Sequence, residues 1–102
     1  MVEIKWTLQS LEDMENIAEY IAKDSTKYAQ IQIRDFFDSV RSLSSFPTSG
    51  RIVPETDNKN IREIIVGYYR VIYHIKNHSE INLLTIHHSK RLLKSKVVRK
   101  TK

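Results

Sequence analysis

Changes in hydrophobic period divide the chain. Val2, Ile4 and Trp6 alternate with Glu3 and Lys5, the two-residue period of a half-buried strand. From Leu11 the period lengthens: Leu11, Met14, Ile17, Ala18 and Ile21 recur at steps of three and four, opposite a polar face carrying Glu12, Asp13, Glu15 and Glu19. That spacing predicts a helix of about four turns. Thr7 or Ser10 can cap it, with Asp13 in the first turn, where a negative charge suits the helix dipole. Asp24-Ser25-Thr26 interrupts the stripe and supplies a fresh cap, after which Ala29, Ile33, Phe36 or Phe37, Val40 and Leu43 resume helical spacing. So short a connection makes the two helices antiparallel.

The second helix ends at Phe46-Pro47-Thr48-Ser49-Gly50-Arg51. Pro47 disfavours helical geometry in the residue before it and Gly50 permits a turn. Pro54 to Asn60 is polar and turn-rich, a surface loop. The period then returns to two: Ile61 to Val66, Tyr69 to Ile75 and Ile81 to Ile86 are β-branched and aromatic runs, separated by Gly67-Tyr68 and Asn77-His78-Ser79, both hairpin-like breaks. The order β-α-α-β-β-β predicts an α+β fold, with a helical hairpin covering one face of a largely antiparallel four-stranded sheet.

Composition narrows the function. A chain of 102 residues, 40% hydrophobic and 28% charged, is expected to form one domain over 1–102, with a basic tail from about residue 92. The absence of cysteine excludes disulfides, a thiolate nucleophile and cysteine-ligated metal. With only two glycines, a Gly-rich phosphate loop cannot be built. No apolar run approaches the ~20 residues of a membrane span, and Met1 to Trp6 lacks a signal-peptide layout. The expectation is a cytoplasmic protein that needs neither membrane, cofactor nor metal.

The net charge of +5 is uneven. Lys90, Arg91, Lys94, Lys96, Arg99, Lys100 and Lys102 lie in the final stretch with no acid among them, whereas residues 1–86 hold ten Lys/Arg against twelve Asp/Glu. Such a run is a solvated end or a foot for phosphate or an acidic partner.

Candidate chemistry gathers in the last third. Alternation places Tyr69, Val71, Tyr73 and Ile75 on one strand face, the core, and Arg70, Ile72 and His74 on the other. A mid-strand arginine must find a carboxylate, a phosphate or solvent. A cross-strand pair with Glu63 satisfies it structurally; anion binding satisfies it functionally. Arg62, Arg70, His87, His88 and Arg91 occupy positions that a meander can bring together, supplying planar cations and imidazole for metal-free cleavage of a phosphodiester through 2′-hydroxyl attack. Glu55 or His88 could act as base or acid, and Lys90 and Lys94 extend the contact surface for RNA. His87 and His88 are adjacent, so on a strand their side chains leave opposite faces and do not readily share a metal. Tyr68, Tyr69 and Tyr73, with Trp6, are core aromatics or, alternatively, base-stacking groups.

Trp6-Thr7, Asp13-Met14, Ile17-Ala18-Glu19-Tyr20-Ile21, Phe46-Pro47-x-x-Gly50-Arg51, Ile61-Arg62-Glu63, Tyr69-Arg70-Val71-Ile72-Tyr73 and Ile86-His87-His88-Ser89-x-Arg91, in that order, resemble the RelE/ParE superfamily of type II toxin–antitoxin toxins over nearly the whole chain. The resemblance implies either of two activities. One is a ribosome-dependent, metal-independent mRNA endonuclease, in which Arg70 matches the phosphate-gripping strand arginine, Arg91 the arginine after the last strand, His88 the terminal acid or base, and Glu55, more loosely, the base. The catalytic tyrosine of RelE-like enzymes is missing from Leu92 to Lys102. The other is a ParE-like toxin that binds DNA gyrase without cleaving RNA, and a third possibility is a degenerate module retained only for binding its antitoxin. The resemblance also implies an acidic antitoxin partner, partly disordered and wrapping the toxin, and a hydrophobic groove to receive it.

Overall fold

A computed structural model describes residues 1–90. The order is β1 (Glu3–Trp6), α1 (Leu8–Ala22), α2 (Thr26–Ser42), β2 (Arg51–Ile52), β3 (Ile61–Val66), β4 (Tyr69–Asn77) and β5 (Glu80–His88). The strands form one sheet in the order β1-β5-β4-β3-β2. β1 runs parallel to β5, and every other pair is antiparallel. The α+β class and the helical hairpin are as expected from the sequence, but among the described residues the sheet has five strands, not four. The additional strand, β2, is two residues long, below the length at which alternation can be read.

Local chemistry sets the helix ends. Thr7, not Ser10, caps α1 by accepting the Ser10 amide, and Ser25 caps α2 by accepting the Tyr28 amide. With the cap at Thr7, Asp13 falls beyond the first turn, and its carboxylate serves the sheet instead. β1 pairs β5 only from Glu80 to Leu83. Past that point Thr7 Oγ1 donates to the Leu83 carbonyl at 2.6 Å, and Asp13 Oδ2 accepts the Ile86 amide at 3.0 Å. Two side chains thus occupy edge positions that a neighbouring strand would otherwise fill, which leaves fewer buried backbone groups without partners.

The face turned to the helices, here the front, carries the main core. Met14, Phe36, Val40 and Leu43 pack on Val66, Val71, Tyr73, Ile81, Leu83 and Ile86. Of the two candidate phenylalanines, Phe36 is fully buried, whereas Phe37 remains 40% exposed and packs against Trp6 with ring centroids 5.2 Å apart. A smaller cluster of Val53, Ile61, Ile72 and Leu84 fills the back face. Leu84 reaches it by ordinary alternation after front-facing Leu83, and the register slips by one residue there: Ile72 pairs with Thr85, but Tyr73 pairs with Leu83. This bulge inserts Leu84 and reverses the facing of everything after it.

Gly50 and Gly67 are used for different reasons. At Gly50 an added Cβ would lie 2.6 Å from both the Glu63 carbonyl oxygen and the Tyr73 hydroxyl. Gly67 has φ of 64° and opens the two-residue turn between paired Val66 and Tyr69, the glycine position of a type II′ hairpin.

Candidate functional site

Arg70 lies on the back face, where its side chain is 5% exposed. Nη1 and Nη2 donate to the two carboxylate oxygens of Glu55 at 2.8 Å each, and Nε donates to Glu63 Oε1 at 2.7 Å. Glu63 is fully buried and accepts a second charged bond, from Arg51 Nε. The four residues form a chain, Arg51–Glu63–Arg70–Glu55, that alternates in sign. The fork of Arg70 matches a carboxylate bidentately, the geometry for which arginine is best suited. Hydrogen bonding to Glu55 raises its pKa further above the ordinary value; burial opposes the shift, and Glu63 adds to it. The cross-strand partner read from the sequence, Glu63, is thus present, with Glu55 as a second carboxylate.

Of the other predicted residues, Glu55 and His87 share the face of Arg70, whereas Arg62 and His88 do not. Directly opposed residues share a face. Arg62 opposes Tyr73 and so lies on the front, while Arg70 opposes Ile65 and His87 on the back. Arg62 Nη1 donates to the carbonyls of Gly50 at 3.0 Å and Thr48 at 3.3 Å, and its Nε is buried without a protein partner. His88 opposes Tyr69 and therefore faces front. His87 and His88 do leave opposite faces. The single groove expected to hold Arg62, Arg70, His87 and His88 together is therefore not formed, because strand register divides them between the faces. Arg91 and Lys94 lie outside the described residues. Lys90 is exposed, and its backbone amide donates to His88 Nδ1 at 3.3 Å.

Sequence reading missed a small network beside the β5 edge. Thr85 Oγ1 donates to Asp13 Oδ2 and lies 3.1 Å from His87 Nε2. Since the hydroxyl's one proton goes to Asp13, the imidazole is the donor in the second contact. Arg51 was likewise missed as a partner of Glu63. Neither could be found from spacing, since Asp13 and Thr85 are 72 residues apart and Arg51 sits in a strand too short to show a period.

Two other surface features bear on binding. A groove of about 680 Å³ runs along the helical hairpin, lined by Ala18, Ala22, Ala29, Ile33 and Phe37 and edged by charges of both signs. At the far end of the sheet, exposed Tyr68 and His88 have parallel rings, and Tyr69 meets His88 edge-on. Among the described residues no group of three or more His, Asp or Glu is placed to hold a metal ion, and no helix is long and apolar enough to cross a membrane.

A helical hairpin clasping one face of a meander, with a parallel N-terminal strand at its edge, is an arrangement already seen in a toxin–antitoxin assembly. The solved structure titled "Chromosomal ParDE TA system from P. aeruginosa" superposes with a TM-score of 0.71 at 20% identity, covering 88% of this chain and 98% of that one. The sequence profile described as "ParE toxin of type II toxin-antitoxin system, parDE" matches residues 4–93. This chain belongs to the ParE toxin family. A relative from Sinorhizobium fredii (strain NBRC 101917 / NGR234), named "Putative toxin Y4kP", is 28% identical over 86 residues, which span 84% of this chain and 86% of the relative. The chain is accordingly a type II toxin of the RelE/ParE superfamily, and its ParE-family match runs from β1 to just past β5.

Proposed function

We propose that this ParE-family toxin arrests growth by binding DNA gyrase, with no RNA cleavage, and that an acidic antitoxin silences it. The observation carrying this reading is the state of Arg70. A nuclease of the RelE kind needs its strand arginine open to phosphate, whereas here both ends of the guanidinium are taken by Glu55 and Glu63. Displacing Glu55 with a phosphodiester would exchange one bidentate anion for another and leave a carboxylate beside the incoming charge. That exchange offers little gain.

The antitoxin is assigned to the hairpin groove. Its apolar floor and mixed-charge rim of Glu19, Arg34, Asp38 and Arg41 suit an amphipathic helix laid lengthwise. Ala22→Arg would fill the floor and should weaken the complex while leaving toxicity intact.

The deciding experiment incubates the full chain with purified gyrase and plasmid DNA. Loss of supercoiling, with trapped cleaved DNA, is expected, alongside unchanged RNA 5′ ends in cells shortly after induction. Transcripts cut in a translating extract while supercoiling proceeds normally would overturn the proposal in favour of the endonuclease. That second reading draws on the exposed His88 imidazole at the end of β5. On it, His88 is the acid or base, and Arg62 and Lys90 contact the RNA backbone.

A further inference from the structure

We infer that the cleft between α1 and the end of β5 receives an arginine side chain carried by a partner protein. The site is separate from the hairpin groove and from the Arg70 network, and the inference holds whichever target the toxin has.

Helical spacing builds one wall. Asp13, Asn16, Ile17 and Tyr20 stand at steps of three and four on α1, so they share one side of the helix. Tyr69 and Ile86, both on the front face of the sheet, line the opposite side, and the space between is about 510 Å³. Tyr69 is half-buried, and burial, followed by the nearby Tyr20 phenol, raises its pKa. Tyr20 itself leaves 68% of its surface in solvent. Two phenol rings thus border one cleft, and the electron-rich face of such a ring attracts a cation.

A carboxylate completes the lining. Asp13 Oδ2 accepts the Thr85 hydroxyl and the Ile86 amide, and Oδ1 accepts Gln9 Nε2 at 2.8 Å. All three donors are neutral, so the negative charge is not cancelled, and a carboxylate with about four acceptor positions has one left. Among the described residues no Lys or Arg pairs with Asp13, whereas Glu55, Glu63 and Glu80 each have a cationic partner. Lys23 reaches the Tyr20 ring, its Nζ 6.0 Å from the centroid, and makes no ion pair with Asp13. The helix adds to the field, since Leu8–Ala22 carries Glu12, Asp13, Glu15 and Glu19 and no Lys or Arg.

These features select arginine. Its planar guanidinium stacks on a ring while its edge donates to a carboxylate, and its apolar stem suits Ile17 and Ile86. Charge selects arginine within a chain over the free amino acid. The free molecule brings its own carboxylate to a helix whose solvent side carries exposed Glu12, Glu15 and Glu19. In a chain that group is a neutral peptide, which exposed Asn16 can hydrogen-bond.

The test is an NMR titration of the full chain at about pH 8, where ordinary imidazole is neutral. The probes are N-acetyl-arginine N-methylamide, its citrulline counterpart and free arginine. The capped arginine should shift the ring resonances of Tyr20 and Tyr69 and the methyl resonances of Ile86. Citrulline, alike in shape but uncharged, should bind roughly 2- to 30-fold more weakly, the weight of a cation–ring contact, and free arginine should also bind more weakly than the capped form. Tyr20→Ala and Asp13→Asn should each weaken binding of the capped arginine, while Tyr20→Phe should retain it; the exposed position of Tyr20 keeps its variants foldable. Absence of shifts at these residues, equal binding of citrulline, free arginine binding as tightly as the capped form, or unchanged affinity in Tyr20→Ala would each overturn the proposal. Gyrase takes no part in the titration, so its outcome and that of the supercoiling assay are read independently.

Discussion

The two faces of the sheet are covered by different forces. On the front, Phe36, Val40 and Leu43 of the hairpin meet Val71, Tyr73 and Leu83, and burial of apolar surface dominates. On the back, a small apolar cluster adjoins the alternating charges Arg51, Glu63, Arg70 and Glu55. Apolar packing tolerates graded change. A buried charge network does not, because removing one member strands the others without water. The comparison explains why an arginine that looks catalytic by position can be held by structure: its bonds to Glu55 fasten a loop to the sheet face, and charges that fasten a loop are as useful as a core.

The largest effects should come from cutting each face once. Phe36→Ala is expected to cost about 3–5 kcal/mol through the cavity it leaves, and Glu63→Ala a similar roughly 3–5 kcal/mol by leaving Arg70 buried beside a gap. The faces separate in the rescue. Replacing Glu63 and Arg70 together by Leu and Met should recover most of the loss, since apolar replacement of a buried pair is often near neutral. Denaturant titration of the three proteins checks this, and a double variant no better than Glu63→Ala would show that the network does more than fasten the loop. If the recovered double variant arrests growth as wild type does, Arg70 has no part in toxicity.

A smaller effect is expected where the faces meet. The Tyr73 hydroxyl donates to the Pro47 carbonyl at 2.7 Å and accepts the Gly50 amide at 3.0 Å, and burial raises its pKa despite that amide. Gly50→Ala places a methyl group against this hydroxyl and should cost about 1–3 kcal/mol, measured as a lowered midpoint in the same titration.

The smallest effect concerns pH. His74 lies on the back face, and burial, followed by the charge of Lys76, lowers its pKa. The folded state therefore favours neutral imidazole. Its contribution is full above the unfolded value of about 6.5 and is lost as pH falls through the lowered folded value. Stability measured between pH 7.5 and 5 should fall less in His74→Asn than in wild type. Parallel curves would show that other groups carry the acid sensitivity.

Much of this was legible in residue order. A cap at Thr7 or Ser10, a fresh cap within Asp24-Ser25-Thr26, the stripe through Met14 and Ile17, the stripe through Phe36 or Phe37 and Val40, and the turn at Gly67-Tyr68 are local features, set by contacts within a few residues, and local chemistry is written in spacing. The Glu63–Arg70 pair was legible too, because both sit in strong strands joined by a two-residue turn. Asp13 was misread because its partner, the Ile86 amide, lies on an element 73 residues away, and no local rule connects them.

What only the tertiary structure decided is which chemistry shares a face. Alternation sends consecutive Leu83 and Leu84 to opposite core clusters, and the bulge at Leu84 then resets the parity so that Ile86 rejoins the front core. With unbroken alternation from Ile81, His88 would project beside Arg70; with the bulge, it projects beside Tyr69, and His87 takes the place opposite Arg70. Composition and period fixed the elements because each depends on its own neighbours. Facing depends on the parity of pairing between strands, and one inserted residue reverses it.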